Sequence, residues 1–494
     1  MAPSREPGQT SGSQAQAQEQ TQATPVGQTL AGTHHNTLFD APRSSWSGKW
    51  AFILAAAASA VGLGNMWRFP YLAAKYGGGT FLLTYAVLVF TFGVSLLLLE
   101  TALGRRTGQS AIGAFKAFGK KYAFIGVLAS AIPFIITPYY CIIGGWVTKY
   151  AASYLTQGAG ALADGGAFFG GFITGPIESY LWMGLFMLVT FVIVGLGVEG
   201  GIEKANLVMM PALIVMAIGI ALFTLMQPGA AEGALYYLTP DFSKLSPELF
   251  IGALGQMFFS LSLAMGIMIT YGSYLDKKES LTQSVVRVAG FDFGVSFLAG
   301  LVIVPAAFFA LGSGQAVAAK SGPSLMFITL PQLFDTMGEA AAVVGFVFFL
   351  LVFFAALTSA ISLTETCVSI VADKTGWSRK RSMATVIAVV GAAGILVNAG
   401  YNGLSFIEPL GAGSSLLDLF DFVSNSVMMP LAALLTCIFV GWIIKPKVLV
   451  EEVRQSSPFK AEKVWVVLVK YVAPLLVIVI LIAYVAQQFG LLSV

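Results

Sequence analysis

Long apolar segments alternate with short polar ones along the chain from about residue 43 onwards. A helix needs about 20 consecutive apolar residues to cross a bilayer. Unbroken runs of this length predict transmembrane helices and not the short alternating strands of a barrel. Eleven spans are predicted, at about 50–75, 80–103, 122–153, 179–197, 203–226, 248–275, 284–312, 340–372, 383–398, 412–444 and 464–487.

Small and polar residues interrupt the first span. Gly62-Leu63-Gly64-Asn65 lies in its middle and Arg68 follows. Glycine costs about 1 kcal/mol relative to alanine inside a helix, and Asn and Arg are costly in lipid. We therefore expect the helix to stop and restart here, so that free carbonyls face a cation and free N–H groups face an anion. The alternative is a kinked helix whose small residues allow close packing.

A second interruption is predicted in the sixth span, where Ser260, Ser262 and Gly266 lie within residues 256–266. Serine in a membrane helix usually bonds back to its own backbone, so this segment alone is weak evidence. Its position matters more, because the first and sixth spans would begin two five-helix halves of opposite topology. Broken helices at corresponding places in two inverted halves point to the central site of a transporter.

Two further polar features lie inside predicted spans. Thr358 and Ser359 are adjacent hydroxyls in the eighth span, near the Ala355 carbonyl, and such hard oxygen atoms suit a small cation. Their alternative role is to join helices by hydrogen bonds. Asp292 lies within the seventh span, where a carboxylate needs a cation partner or a proton.

The other polar residues of the spans carry less information. One hydroxyl of the pair Tyr139-Tyr140, in the middle of the third span, is expected to act as a hydrogen-bonding group, because interfacial anchoring belongs at the membrane surface. Four acidic residues lie near span ends or interfaces, where simple solvation is one interpretation of them: Glu100, Glu365, Asp418 and Asp421.

Composition supports a polytopic membrane protein. Of the 494 residues, 57% are hydrophobic and 10% are charged, against about 25% charged in soluble domains. The net charge of +3 is too small to indicate a nucleic-acid partner. The two histidines, His34 and His35, lie in the polar amino-terminal segment. A mechanism that needs a buried histidine is therefore excluded, which removes most membrane hydrolases.

The polar segments predict the orientation. Residues 1–42 are rich in Gln, Thr, Ser and Gly, and we expect a disordered cytoplasmic tail. Basic residues concentrate after the second, sixth, eighth and tenth spans. The positive-inside rule then places the amino terminus in the cytoplasm, and an odd number of spans places Val494 outside.

The interrupted segments resemble the neurotransmitter:sodium symporter family, whose bacterial members carry amino acids. The resemblance covers about residues 43–487, and its motifs run from Ala60 to Tyr71, from Gln256 to Gly266 and through Leu357-Thr358-Ser359. It implies the family's all-α, leucine-transporter-like fold, an inverted repeat of five plus five helices at 43–226 and 248–444 with an additional helix at 464–487. It also implies a multi-pass protein of the bacterial inner (cytoplasmic) membrane.

The resemblance implies two sodium sites. The family often has Thr and Asn where this chain has Ser260 and Asp292. The first site would use the Ala60 carbonyl and the side chains of Asn65, Ser260 and Asp292. The second would use the carbonyls of Ala58, Val61 and Ala355 and the hydroxyls of Thr358 and Ser359.

It also implies an amino-acid site between the two breaks. The substrate carboxylate would meet the N–H groups of Leu63 and Gly64, the Tyr140 hydroxyl and the first sodium ion. The ammonium group would meet the carbonyls of Ala60, Phe259 and Ser262. The pocket for the substrate side chain would be lined by Ser59, Ile136, Phe259, Ser262, Met265, Ser359 and Leu363. Ser260 is assigned to the substrate site as well as to the first sodium site.

Three residues bear on specificity under the same resemblance. Monoamine carriers of the family place Asp at Gly62, so glycine leaves room for a substrate with its own carboxylate. The apolar pocket predicts a neutral, hydrophobic or aromatic L-amino acid, and the flexible Met265 favours broad specificity. Chloride-dependent relatives balance charge with an anion partly held by a Ser matching Ser296. The carboxylate of Asp292 could replace that anion, which predicts transport independent of chloride.

Two gates are implied as well. Arg68 would pair with Asp421 on the outer side, above a lid formed by Phe259 and Tyr140. Arg43 and Asp373 would pair on the cytoplasmic side, with Trp46 and Tyr274 beside them. Each pair must break once per cycle, which suits exposed ion pairs of about 0.2–1 kcal/mol.

The sequence thus predicts a sodium-coupled symporter that works by alternating access. It predicts no organic cofactor and no enzymatic activity. The alternative is a proton- or sodium-coupled amino-acid carrier of another family with the same inverted repeat. Two interrupted helices around an occluded site argue against a ligand-gated channel. The oligomeric state is not determined by the sequence.

Overall fold

The computed structural model describes residues 45–311, 323–488 and 490–491. The predicted tail at 1–42 lies outside these residues. Nine helices of the described part are long and apolar enough to cross a membrane, and a tenth span consists of two helices bent by 55°. An eleventh is divided into pieces of 14 and 6 residues, each too short to qualify alone.

Eleven helices therefore correspond to the eleven predicted spans. Their bounds are α1 (Lys49–Ala60 and Gly64–Lys75), α2 (Gly79–Thr107), α3 (Lys120–Thr156), α4 (Glu178–Gly195), α5 (Val198–Leu225), α6 (Pro247–Ser260 and Ile267–Gly272), α7 (Leu281–Phe308), α8 (Gly338–Thr375), α9 (Arg379–Ala399), α10 (Leu416–Ile443) and α11 (Glu462–Gln488). Shorter helices connect them at Gly165–Thr174, Ala230–Leu238, Leu325–Asp335 and Lys447–Arg454. The predicted all-α polytopic fold, with discontinuous first and sixth helices, is confirmed.

The interrupted helices lie at the centre of the bundle. The amino-terminal half of α1 packs against α7, α8 and α5, and α8 packs along α3. Alanines 55–58 of α1 are fully buried, so close contact surrounds the segment that precedes the break.

Small residues allow the second half of α6 to approach α2. A Cβ on Gly104 would lie 1.9 Å from the Ile269 carbonyl oxygen, and one on Gly272 would lie 2.4 Å from the Thr101 carbonyl oxygen. Glycine at such a crossing permits backbone contact between membrane helices. The short segment Ile267–Gly272 is thereby fixed against a long, continuous helix.

Candidate functional site

The break in α1 is closed by the side chain of Asn65. Val61 ends the first half in an extended conformation, with φ −73° and ψ 105°. The Gly62 N–H donates to Asn65 Oδ1 at 2.9 Å, and the Asn65 N–H donates to the Gly62 carbonyl at 3.2 Å. The amide thus reaches back to a free N–H before the second half, as the N3 side chain of a capping box does at an ordinary helix start.

The break in α6 contains three residues with left-handed backbone. Ser262, Ala264 and Gly266 have φ of 52°, 63° and 72°, a conformation that costs a non-glycine residue about 1–2 kcal/mol. Glu100 Oε1 accepts the Ala264 N–H at 2.7 Å. The expectation that Glu100 is solvated near a span end is wrong, because this side chain is buried and bonded to the break.

The two breaks enclose a small cavity of about 30 Å³. All twelve residues predicted to contact the substrate line it: Ser59, Ala60, Leu63, Gly64, Ile136, Tyr140, Phe259, Ser260, Ser262, Met265, Ser359 and Leu363. Gly62, Asn65 and Ile267 complete the lining. Ile267 is the apolar wall residue that the sequence reasoning missed, since nothing distinguishes it from its aliphatic neighbours.

Hydroxyl groups meet the backbone atoms that the break in α1 leaves free. The Leu63 N–H donates to the Tyr140 hydroxyl at 3.3 Å. Ser262 Oγ and Ser359 Oγ both donate to the Ser59 carbonyl, at 2.9 and 3.2 Å. The free N–H and C=O groups therefore face the cavity with polar partners from α3, α6 and α8.

A buried cluster of oxygen atoms adjoins the cavity at the predicted first sodium site. Asn65 Nδ2 lies 2.9 Å from Ser260 Oγ and 2.8 Å from Asp292 Oδ1. The same nitrogen lies 2.8 Å from Ser296 Oγ. An amide nitrogen has two protons to donate, so these three oxygen atoms compete for them. The carboxylate and hydroxyl oxygen atoms around this nitrogen are of the type that a hard cation prefers, whereas Asn65 turns its nitrogen towards them and its Oδ1 towards the Gly62 N–H.

Asp292 is the only charged member of this cluster and is fully buried. Its Oδ1 accepts from Ser260 Oγ at 2.6 Å, and its Oδ2 accepts from the Tyr85 hydroxyl at 3.0 Å. Among the described residues, no basic side chain lies within 4.0 Å of it. Tyr85 is a further residue that the sequence did not identify, because it lies near the start of the second span, where tyrosine is common in membrane helices.

Two residues of the predicted second sodium site are in contact across helices, since Ser359 Oγ lies 3.2 Å from the Val61 carbonyl oxygen and shares its one proton between this carbonyl and that of Ser59. Thr358 Oγ1 stays within its own helix, 2.9 Å from the Phe354 carbonyl oxygen and 3.1 Å from that of Ala355. Ala58 and Ala355 are fully buried on the facing helices. This arrangement joins the end of the first half of α1 to the middle of α8 through carbonyl and hydroxyl oxygen atoms.

A wide vestibule lies on the side of the second half of α1. It encloses about 410 Å³, and Tyr140 and Phe259 separate it from the small cavity that they also line. Arg68 and Asp421 both line this vestibule. The predicted direct pair is absent: Arg68 Nη2 donates to the Tyr484 hydroxyl at 2.9 Å, and Asp421 Oδ1 accepts from the Tyr139 hydroxyl at 3.2 Å.

The opposite side of the breaks is packed. Trp46 is buried, and its indole N–H donates to the Tyr271 carbonyl at 3.1 Å. Its ring contacts Phe52, Tyr271 and Tyr274 edge to face. The Tyr274 hydroxyl donates to Glu365 Oε1 at 3.0 Å.

Two acidic residues complete this side. Glu365 is fully buried and paired with Arg379, so the expectation that it is merely solvated is wrong. Asp373 accepts the Ser110 N–H at 2.8 Å. Its predicted partner, Arg43, lies outside the described residues.

Two broken helices surround a buried site. A vestibule lies on one side of this site, and packed aromatic side chains cover the other side. This geometry defines an alternating-access membrane transporter, because a site between inverted halves can be exposed to each face in turn. Sequence comparison agrees: a profile of the sodium:neurotransmitter symporter family matches residues 43–160 and 174–491. The chain belongs to this family, which consists of transporters and not of enzymes.

Individual relatives support the assignment. The chain is 34% identical over 457 residues to YhdH of Bacillus subtilis, described as an uncharacterized sodium-dependent transporter, covering 91% of this chain and 98% of that protein. It is 28% identical to the human sodium- and chloride-dependent GABA transporter 2, covering 82% and 74%. A crystal structure of MhsT in complex with L-phenylalanine is 35% identical, with a TM-score of 0.79 over 89% of this chain and 99% of that one.

Proposed function

We propose that this protein is a sodium-coupled symporter that imports neutral hydrophobic or aromatic L-amino acids by alternating access, independently of chloride. Membership of the family establishes a sodium-dependent transporter. The observation that carries the finer proposal is the cavity between the two helix breaks, whose wall is apolar and whose polar groups are mainly backbone atoms and hydroxyls. MhsT, one relative of known structure, was crystallised in complex with L-phenylalanine.

The amino acid would bind across the break in α1. Its carboxylate would accept from the N–H groups of Leu63 and Gly64 and from the Tyr140 hydroxyl, because free N–H groups at a helix start attract anions. Its ammonium group would meet the carbonyls of Ala60, Phe259 and Ser262, three residues that line the cavity. The substrate side chain would extend towards Met265, one of the apolar residues of the wall.

Gly62 supports a substrate that brings its own carboxylate. A Cβ at this position would lie 2.7 Å from Ser359 Oγ and 2.8 Å from the Tyr140 hydroxyl. Any longer side chain would occupy the place proposed for the substrate carboxylate. The site therefore favours an amino acid over an amine.

Two sodium ions would travel with the substrate. The first would bind the Ala60 carbonyl, Asn65, Ser260 and Asp292, and would contact the substrate carboxylate. The second would bind the Ala58, Val61 and Ala355 carbonyls and the hydroxyls of Thr358 and Ser359. Because the second set joins α1 to α8, its sodium ion would hold the inner half of α1 in place until release.

Asp292 supports chloride independence. Its carboxylate is already within hydrogen-bonding distance of Ser260, Asn65 and Tyr85. A fixed negative charge at this point can balance the first sodium ion, which is the task assigned to chloride in dependent relatives. A bound chloride ion is then not needed to balance the charge of the first sodium ion.

The transport cycle follows from the two sides of the site. The vestibule would face the outside, and sodium binding would favour this form. Closure over the amino acid, followed by movement of the inner half of α1, would release sodium and substrate into the cytoplasm. One charge moved through 100 mV supplies about 2.3 kcal/mol, so coupling to two ions can concentrate the substrate strongly.

We place the protein in the bacterial cytoplasmic membrane with its amino terminus inside. The two proposed inverted repeats are residues 43–226 and 248–444. Arg43–Asp373 and Arg68–Asp421 are the proposed inner and outer gate pairs, the latter forming only when the vestibule closes.

Uptake of radiolabelled amino acids into proteoliposomes tests the proposal. We expect an imposed inward sodium gradient to drive accumulation of L-phenylalanine or L-leucine, and its collapse to abolish accumulation. Unlabelled dopamine and GABA should not compete. Uptake should persist when gluconate replaces chloride.

Three results would overturn parts of the proposal. Uptake driven by a pH gradient without sodium would favour the proton-coupled alternative. Transport of amines without amino acids would contradict the substrate class. Uptake that stops in gluconate and returns with chloride would contradict the role of Asp292.

A further inference from the structure

The outer arginine has a partner that belongs to neither five-helix half. Arg68 Nη2 donates to the hydroxyl of Tyr484 on α11 at 2.9 Å. The guanidinium carbon lies 5.9 Å from the centre of the Tyr484 ring and 5.8 Å from the centre of the Phe259 ring. Tyr484 therefore holds Arg68 directly above the aromatic lid of the site.

The approach of Tyr484 depends on a gap in α6. A Cβ on Gly255 would lie 1.7 Å from the Tyr484 hydroxyl oxygen, so any other residue would push the tyrosine away. Gly255 precedes the lid residue Phe259 by four positions, which places both on the same face of α6. The tyrosine, the arginine and the lid thus meet on one surface of one helix.

The proposed closing partner of Arg68 is also held by other groups. Asp421 Oδ1 accepts hydrogen bonds from the Tyr139 hydroxyl and from Asn425 Nδ2. Arg68, Asp421 and Tyr484 line one vestibule. Both charged groups are therefore satisfied separately while the vestibule is open.

We propose that Tyr484 is a positioning residue that keeps the vestibule open by competing with Asp421 for Arg68. Closure requires Arg68 to leave the Tyr484 hydroxyl and Asp421 to leave at least one of its partners. Closure forms one ion pair, between Arg68 and Asp421, and breaks hydrogen bonds in which one partner is charged. Such hydrogen bonds are stronger than neutral ones, so the open and closed forms are close in free energy. Bound substrate then decides which form is favoured.

This inference rests on the proposed gating by Arg68 and Asp421 and adds α11 to it. It explains why a helix outside the two repeats reaches the vestibule. It also predicts that the hydroxyl of Tyr484, and not its ring, sets the balance between open and closed forms in the absence of substrate.

Thiol labelling of the vestibule tests the inference in the full-length protein. Ser426 lines the vestibule, and the native cysteines Cys141, Cys367 and Cys437 are buried. Ser426→Cys therefore supplies a reporter for a membrane-impermeant thiol reagent. The rate of labelling is measured in sodium-containing buffer without amino acid. Four proteins are compared: the reporter alone, and the reporter combined with Tyr484→Phe, with Asp421→Asn or with both substitutions.

We expect Tyr484→Phe to slow labelling by at least about threefold, the scale expected when a hydrogen bond to a charged group is lost and partly replaced. In the Asp421→Asn background the same substitution should have no effect, because Arg68 has no carboxylate to move to. Tyr471→Phe is the matched control: Tyr471 lies on the same helix but contacts Trp442, and its labelling should equal that of the reporter alone.

Two outcomes overturn the inference. Unchanged labelling in Tyr484→Phe shows that the hydroxyl does not hold the vestibule open. An equal decrease with and without Asp421→Asn shows that Tyr484 acts by packing and not by competing for Arg68. Sodium-driven uptake by the unsubstituted protein is measured separately. If labelling contradicts the role of Tyr484 but uptake is observed, the proposed function still holds. If no uptake is observed, the proposed function is refuted whatever the labelling shows.

Discussion

At the scale of single residues, the site depends on positions where a few atoms decide what can bind. Gly62 faces two hydroxyl groups at distances that leave no room for a Cβ. Asp292 supplies a buried negative charge to a cluster of neutral oxygen donors. Asp292 could be identified from the sequence because a carboxylate is unusual inside a membrane helix, whereas the meaning of Gly62 came from the family resemblance.

Gly62→Ala tests the space proposed for the substrate carboxylate. The added methyl group would displace the Tyr140 and Ser359 hydroxyls, and we expect the apparent affinity for L-phenylalanine to fall by about tenfold or more, as expected when polar partners are lost. Uptake over a concentration series measures the effect. Gly184→Ala is the control, because a Cβ there meets nothing within 4 Å; equal behaviour of the two variants would contradict the assignment.

Asp292→Asn tests the charge balance. Asparagine keeps the size of the side chain but removes the charge opposite the proposed sodium ion, and a buried charge without a partner is strongly destabilised. We expect sodium-driven uptake in gluconate medium to fall by about tenfold or more, and added chloride to restore part of it. Asp164→Asn is the control, because this exposed residue caps a helix and Asn caps equally well. A variant that is active without chloride would refute the role.

At the scale of secondary-structure elements, the break in α6 is held open by its own backbone and by one acidic residue. Three left-handed residues occur within five positions, and Glu100 accepts the N–H of the central one. The sequence indicated the break through its serines and glycine. It did not indicate Glu100, because the partner comes from a helix more than 160 residues away.

Gly266→Ala tests how much the conformation of this break contributes to stability. A Cβ at Gly266 meets no atom closer than 3.4 Å, so the substitution adds backbone strain without a collision. We expect a loss of about 1–2 kcal/mol of stability, measured as a lower temperature of unfolding in detergent. In the helical control Gly290→Ala, where a Cβ meets nothing within 4 Å, stability should be unchanged or higher. Equal effects in both variants would contradict the strained conformation.

At the scale of the whole transporter body, the two sides of the site differ. A vestibule of about 410 Å³ adjoins the aromatic lid, whereas Trp46 and its neighbours fill the opposite side. The structure is therefore open on one side and closed on the other. This asymmetry is the property that an alternating-access cycle reverses.

Trp46→Ala tests the closed side. Loss of a buried tryptophan costs about 3–5 kcal/mol in a packed environment. Here the substitution destabilises the conformation whose inner side is closed, relative to the conformation whose inner side is open. We expect the sodium concentration for half-maximal labelling of Ser426→Cys to rise by about tenfold or more. Trp50→Ala is the control, since Trp50 lies in the first turn of α1, only four positions after Trp46, and is 54% exposed. An unchanged sodium dependence in Trp46→Ala would contradict the gate.

The sequence by itself determined the number and type of elements, because membrane-crossing helices require long apolar runs and glycine and polar residues are costly inside them. Through the family resemblance it also predicted, as substrate-site residues, twelve of the fifteen residues that line the cavity. The tertiary structure alone decided which distant groups pair: Glu100 with the break in α6, Tyr85 with Asp292, and Tyr484 with Arg68. The physical reason is that a break exposes backbone atoms locally, whereas the partner of each exposed or charged group is whichever side chain the packing of the helices brings within hydrogen-bonding distance.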